Sequence, residues 1–317
     1  MAKNSKKDSA IKVFSIISII LCVGVILLAL YLNSTNKNPY DVAKVDTHDI
    51  RSSEEILEIG NGIYNDIINL KEDIYINDAS YRIGSEEFPF DGVFNGNGHT
   101  IYFSYDSATS ETSLFSYLSK NAVVKNTNFV FTNIQINDSS FGGIAKINDG
   151  TIKDCTVTFD KLEIKSSGVF SPLVTINRGE VTNVLIKTLI SKNSELLVEK
   201  DVFLGNACVY NGGNISGIIT ISNYEGWDST NELNILKGLS KNYAISAVSY
   251  SVIENGGQEK CVALVEHGTY TSDKASDVVF NLSTADIFQE DYIFHTLDFN
   301  NQSWELTGGI LTLKTLG

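Results

Sequence analysis

Aromatic rings set beside carboxylates are the equipment of a sugar-binding surface, and one stretch of the sequence carries them close together: Tyr224, Glu225, Trp227 and Asp228, with Tyr243 further on. Aromatic faces stack on sugar rings, and Glu225 and Asp228 would accept hydrogen bonds from hydroxyls. The competing reading folds Trp227 back onto the flank of the body it projects from. Other chemistries lack their residue sets. A zinc peptidase helix needs His-Glu-x-x-His, because two imidazoles one turn apart must meet one metal. Here His48, His99, His267 and His295 are followed by Asp49, Thr100, Gly268 and Thr296. There is no Gly-x-Ser-x-Gly elbow and no phosphate-cradling Gly-x-x-x-x-Gly-Lys run. A glycan lyase would want clustered carboxylates for calcium and a basic residue, and a hydrolase two facing carboxylates. Only Arg51, Arg82 and Arg178 are available, and none is expected beside an acidic cluster. The expectation is a binding surface without cofactor or metal, with glycan cleavage as its alternative.

The elements that must position such a surface are repetitive. Four copies of one pattern run from Val124 to Ile221: Val124-Lys125-Asn126-Thr127-Asn128-Phe129, Ile152-Lys153-Asp154-Cys155-Thr156-Val157, Val181-Thr182-Asn183-Val184-Leu185-Ile186 and Ile215-Ser216-Gly217-Ile218-Ile219-Thr220. Each has an apolar residue, a bend-prone residue two places on, and alternating apolar positions after it. Period-two alternation marks a half-buried strand. Asn126, Asp154, Asn183 and Gly217 are of the types that reach a left-handed backbone at least cost, so they read as one corner repeated. Asn148, Asn177 and Asn211, each two places before a glycine, read as a second corner column. Repeats at this period predict a right-handed parallel β-helix, a solenoid, in which Thr127, Cys155, Val184 and Ile218 stack inward, and Phe129, Val157, Ile186 and Thr220 form the next file. An antiparallel sandwich with Asn-Gly hairpin turns is the other fold such turns allow.

Composition agrees with a β-rich, packed body: 43% of the 317 residues are hydrophobic and only three are proline. A net charge of −14 would repel a phosphate backbone, which argues against nucleic acid as a partner. Cys155, Cys208 and Cys261 show no paired spacing and are expected as core thiols. From Val13 to Leu32 no residue is charged, and lysines precede the stretch. Twenty such residues span the hydrocarbon core as a helix, and the positive-inside bias keeps the N-terminus cytoplasmic. A cleavable signal peptide is the competing reading. The expected organisation is therefore a cytoplasmic tail (1–12), a transmembrane anchor (13–32), a stalk (33–49) and an extracellular β-helix (50–317) with an insertion at 222–242. Ser52 to Ile59 has Ser and Glu where a capped helix start places them, and predicts a short helix over the solenoid's open end. After Ile221 the copies match poorly: Asn255-Gly256-Gly257 follows at a longer interval, and the apolar offsets do not visibly continue.

Pro89-Phe90-Asp91-Gly92-Val93-Phe94-Asn95-Gly96-Asn97-Gly98-His99-Thr100-Ile101 resembles the opening turn of bacterial surface β-helix domains of the GLUG-repeat type, as in the non-catalytic N-terminal region of immunoglobulin A peptidases. Glu54 to Ile59, Tyr64 to Ile76, Gly142 to Cys155 and the closing stretch Asp298 to Leu306 with Leu311 to Lys314 are similar to that family's remaining segments. The resemblance implies a β-helix displayed at the cell surface. Taken with the anchor, it gives the expectation of a single-pass membrane protein whose outer part binds a glycan or a surface protein, or serves as a scaffold.

Overall fold

The computed structural model describes residues 45–59, 65–78, 80–104, 113–132, 134–136, 140–164, 167–190, 202–224, 244–246, 249–252, 257–267, 278–279 and 287–315. The described chain opens with β1 (Thr47–Ile50), α1 (Ser53–Ile59), β2 (Ile67–Leu70), β3 (Ile74–Ile76), β4 (Val93–Asn95) and β5 (Thr100–Ser104). The first strand thus begins at Thr47, inside the stretch expected as a stalk. Ser52 caps α1: its hydroxyl accepts from the Glu55 amide at 3.2 Å, and the Glu55 carboxylate accepts from the Arg51 amide at 2.6 Å. Ile56 and Ile59 face the core.

Winding follows through β6 (Phe115–Leu118), β7 (Val123–Thr132), β8 (Ile134–Ile136), β9 (Ser140–Gly142), β10 (Ala145–Asn148), β11 (Thr151–Ile164), β12 (Gly168–Ser171), β13 (Val174–Asn177), β14 (Glu180–Ile190), β15 (Val202–Gly205), β16 (Cys208–Asn211), β17 (Asn214–Tyr224), β18 (Ala244–Ser246), β19 (Ser249–Val252), β20 (Gly257–His267) and β21 (Val278–Val279). Each circuit visits three parallel sheets in turn. A 12-stranded sheet runs β1-β2-β4-β7-β11-β14-β17-β20-β21, with β3, β5 and β8 joined alongside. A second sheet is β9-β12-β15-β18, and a third is β6-β10-β13-β16-β19. The fold is all-β, dominated by parallel sheets and β-helix-like. Among the described strands the antiparallel pairing is confined to β22 (Trp304–Thr307) with β23 (Ile310–Leu313), so the sandwich reading falls away.

Register places the expected files one above another. Thr127, Cys155, Val184 and Ile218 pair in succession and continue to Cys261, all at most 1% exposed. Phe129, Val157, Ile186 and Thr220 form the adjacent file and continue to Ala263. Beside them Phe103, Phe131 and Phe159 stack with ring centroids 4.4 and 4.3 Å apart and planes 7° from parallel. The three cysteines are free and buried. Asn126, Asp154, Asn183 and Gly217 all take positive φ, at 49°, 50°, 54° and 63°. In the second corner column the amide of Asn148 donates to Asn177 and that of Asn177 to Asn211, each at 2.8 Å, and Asn211 donates to the Gly257 carbonyl at 3.0 Å. Each buried amide therefore satisfies the next, which is what makes a polar ladder tolerable in a core.

Two expectations need correction. The pattern does not fail after Ile221: β20 pairs with β17 from Asn214↔Gly257 onward, and Lys260 occupies the fifth corner at φ 52°. Lysine is not a bend-prone type, so the corner left no mark in the sequence. The intervals also shift, because Val252 lies opposite Asn211 while Gly257 lies opposite Asn214.

The closing segment is more than a last strand. It returns along the outside of the corner column: Asp298 pairs with Lys260 at 2.8 Å, the Leu297 carbonyl lies against Gly217, Trp304 Nε1 donates to Asp154 Oδ1 at 3.0 Å, and the Lys314 carbonyl lies against Gly98. A Cβ on Gly98 would fall 2.3 Å from that carbonyl oxygen, so a side chain there would expel the strap. Leu185, Ile219, Val262 and Leu264 point outward from the solenoid and are buried by Ile293, Leu297, Phe299, Trp304 and Leu311, a second core outside the first. Trp304 is fully buried. Burial holds the Asp154 carboxyl above its ordinary range, against the opposing hydrogen bonds from Trp304, Asn183 and Ser303.

Candidate functional site

Beyond the corner, the long sheet presents an outer face whose residues are fixed by alternation. Ile74, Ile76, Ile101 and Phe103 point inward and are buried; Tyr75 and Tyr102, between them, point outward. Register stacks Tyr75, Tyr102, Val130, Thr158 and Lys187 in one outward file. The two tyrosine rings lie 4.7 Å apart and 11° from parallel, and Tyr75 is 57% exposed. The neighbouring outward file begins Thr100, Asn128, Thr156 and then turns apolar at Leu185. The Thr156 hydroxyl donates to Asn128 Oδ1 at 2.7 Å, and the Asn128 amide donates to the Gly98 carbonyl at 2.8 Å, so these polar groups are held in place.

Where the strap crosses this face it leaves a groove of about 330 Å³. Asn128, Thr156, Thr158 and Lys187 form its floor, and Ile310 and Thr312 of β23 its wall. Ile310 is 62% exposed. Tyrosine rings, threonine hydroxyls, an amide and one ammonium thus share a strip that runs along the winding axis.

A second polar cluster lies on the turn between the third sheet and the long sheet. Arg178 grips Asp149 through Nε at 2.6 Å and Nη2 at 3.2 Å, and the Tyr117 hydroxyl donates to Asp149 Oδ2 at 2.5 Å. Arg178 also lies over the Tyr117 ring, 5.7 Å from its centroid. Arg178 sits on this single carboxylate, not on an acidic cluster, because Asn148↔Asn177 pairing puts residues 29 places apart side by side. The hydrogen bond to Asp149 pushes the Tyr117 phenol and the Arg178 guanidinium above their ordinary values. Both are committed to that carboxylate. Elsewhere His48 meets Asp66 at 2.9 Å and His99 approaches Asp73 at 3.5 Å, as ties between successive coils.

Of the residues expected to bind a ligand, Tyr224 ends β17 with its backbone paired to Ile190. Glu225, Trp227, Asp228 and Tyr243 lie outside the described residues, as does the proposed anchor at 13–32. Among the described residues no helix is long and apolar enough to cross a membrane, and no three His, Cys, Asp or Glu side chains converge as a metal site. Sequence reasoning missed Tyr75 and Tyr102. Their signal was present: each is the outward residue in an apolar-tyrosine-apolar triplet, and they are one coil interval apart. Compared with protein families, curated proteins and solved structures, the chain matches none of them.

Proposed function

We propose that the chain is a membrane-anchored cell-surface module whose right-handed parallel β-helix binds an extracellular glycan without cleaving it. The uncharged stretch from Val13 to Leu32, with lysines before it, supports the anchor. Right-handed winding is what parallel strand crossovers adopt in nearly all cases. The resemblance to GLUG-type surface domains supports display outside the cell. The single observation that carries the binding reading is the exposed ring of Tyr75, stacked on Tyr102 at the head of a polar strip that the closing segment leaves open.

The test is a glycan panel presented to the full chain in detergent. Saturable binding that is lost in Tyr75→Ala supports the strip, and loss in Trp227→Ala instead moves the site to the 222–242 insertion. Shortened or unsaturated products would replace this reading with a hydrolase or lyase. Neither binding nor products would leave a scaffold or protein-contact role.

A further inference from the structure

We infer that the strip from Tyr75 to Lys187 takes a linear, carboxylate-bearing glycan laid along the winding axis. This rests on the glycan-binding reading and adds the class of sugar and its direction. Five successive coils each contribute one outward residue to the file, in the order Tyr75, Tyr102, Val130, Thr158, Lys187. At a strand spacing of about 4.8 Å, the four steps span roughly 19 Å, room for about four sugar units in an extended chain. A ligand lying along a single coil would meet only one residue of the file.

The order of side chains sets the chemistry. At one end the tyrosine stack offers the flat apolar surface that a sugar ring's C–H face needs. In the middle, Val130 continues that surface, while Thr158 and Thr156 place hydroxyls beside it and Ile310 walls it from the strap. At the other end stands Lys187, exposed and, among the described residues, the only charged one lining the groove. Three other cations of the body are paired: Arg178 with Asp149, Lys260 with Asp298, and Lys146 with Glu86. Among the described residues Lys187 has no such partner. Asp160, two residues beyond Lys187's register partner Thr158, and Glu305, opposite Thr312 in the hairpin, are not among the lining residues. On a chain of net charge −14, a groove whose described lining has one ammonium and no carboxylate is complementary to an anion. The carboxylate would be that of a uronic acid unit at the Lys187 end, with its neighbours' rings on Val130 and the tyrosines.

The experiment uses the full chain in detergent with glucuronosyl-xylotriose, a tetrasaccharide with a single terminal carboxylate, beside its carboxyl-reduced form. An acidic tetrasaccharide binds at low salt, and carboxyl reduction weakens it about fivefold, the effect of one partly exposed charge pair. Lys187→Gln gives the same loss for the acidic form and leaves the reduced form unchanged, while Tyr102→Ala weakens both. Lys187 is exposed, so its replacement leaves the unfolding midpoint in place. Equal binding of acidic and reduced forms, or a silent Lys187→Gln, overturns the acidic assignment while the glycan reading stands. Binding of neither form, with a normal unfolding midpoint, overturns both.

Discussion

Asp154 is where two cores meet, and its substitution separates their contributions. Its carboxylate accepts the Trp304 indole N–H at 3.0 Å from a position 150 residues earlier, so the contact reports only whether the strap is docked. A hydrogen bond to a charged acceptor is worth about 1.5–3 kcal/mol, and a neutral one nearer 1 kcal/mol. Trp304→Phe removes the donor and part of an indole that packs edge-on against Phe299, with centroids 5.1 Å apart, so a loss of about 2–4 kcal/mol is expected. Asp154→Asn keeps an acceptor and a residue type that already holds this corner in Asn126 and Asn183. In its background Trp304→Phe should cost about 1 kcal/mol less, a coupling that a double-mutant cycle in urea measures. The two proteins also differ in pH response. Because burial raises the Asp154 pKa above 3.8, the folded chain binds that proton more tightly than the unfolded chain does. Its contribution is largest in acid and is lost as pH rises from near 3.8 through the folded value. Wild type should therefore lose stability relative to Asp154→Asn across that interval and no further above it. Zero coupling, or parallel pH curves for the two proteins, would refute this account of the strap.

Further substitutions test the inner architecture. Phe131→Ala empties the middle of the stacked phenylalanines and should cost about 3–5 kcal/mol in chemical denaturation. Asn177→Ala leaves the Asn148 amide with only the Glu180 carbonyl at 3.4 Å and Asn211 Oδ1 without its side-chain donor, for a loss of about 1–3 kcal/mol by the same measurement. Thr220→Val replaces a buried hydroxyl that has no hydrogen-bond partner with a methyl of similar size, and should stabilise by about 1 kcal/mol. Lys260→Gly relieves a left-handed lysine at the cost of one exposed ion pair with Asp298, and should leave the midpoint equal or raise it by up to about 1 kcal/mol.

The sequence made the solenoid legible because its period is written in residue types: a corner that needs Asn, Asp or Gly announces itself, and Asn126, Asp154, Asn183 and Gly217 did. Lys260 shows the limit. Its backbone is held left-handed by pairing with neighbours already wound, and residue type carries no trace of that. The outward leucines and isoleucines of the later coils posed a related difficulty. Leu185, Ile219 and Val262 are apolar on the outward face, and the strap that covers them supplies the reason. The Arg178–Asp149 pair became visible only with register, since one residue of slip would send each side chain to another face. The expected binding residues Glu225, Trp227 and Asp228 belong to the 222–242 insertion, and Tyr243 follows it, where the sequence interrupts the period.

The strap also decides how the body carries load. It begins beside the late coil of Lys260 and finishes against Gly98, near the coils where the described chain begins at Val45. Both ends of the body therefore leave from the same region of the stack. Tension applied between them would be taken in shear by the contacts around Gly98 and Lys314, with the far coils slack, instead of unwinding the stack from its tip. A body pulled by those two ends would keep its far turns intact for as long as that small clasp stays shut.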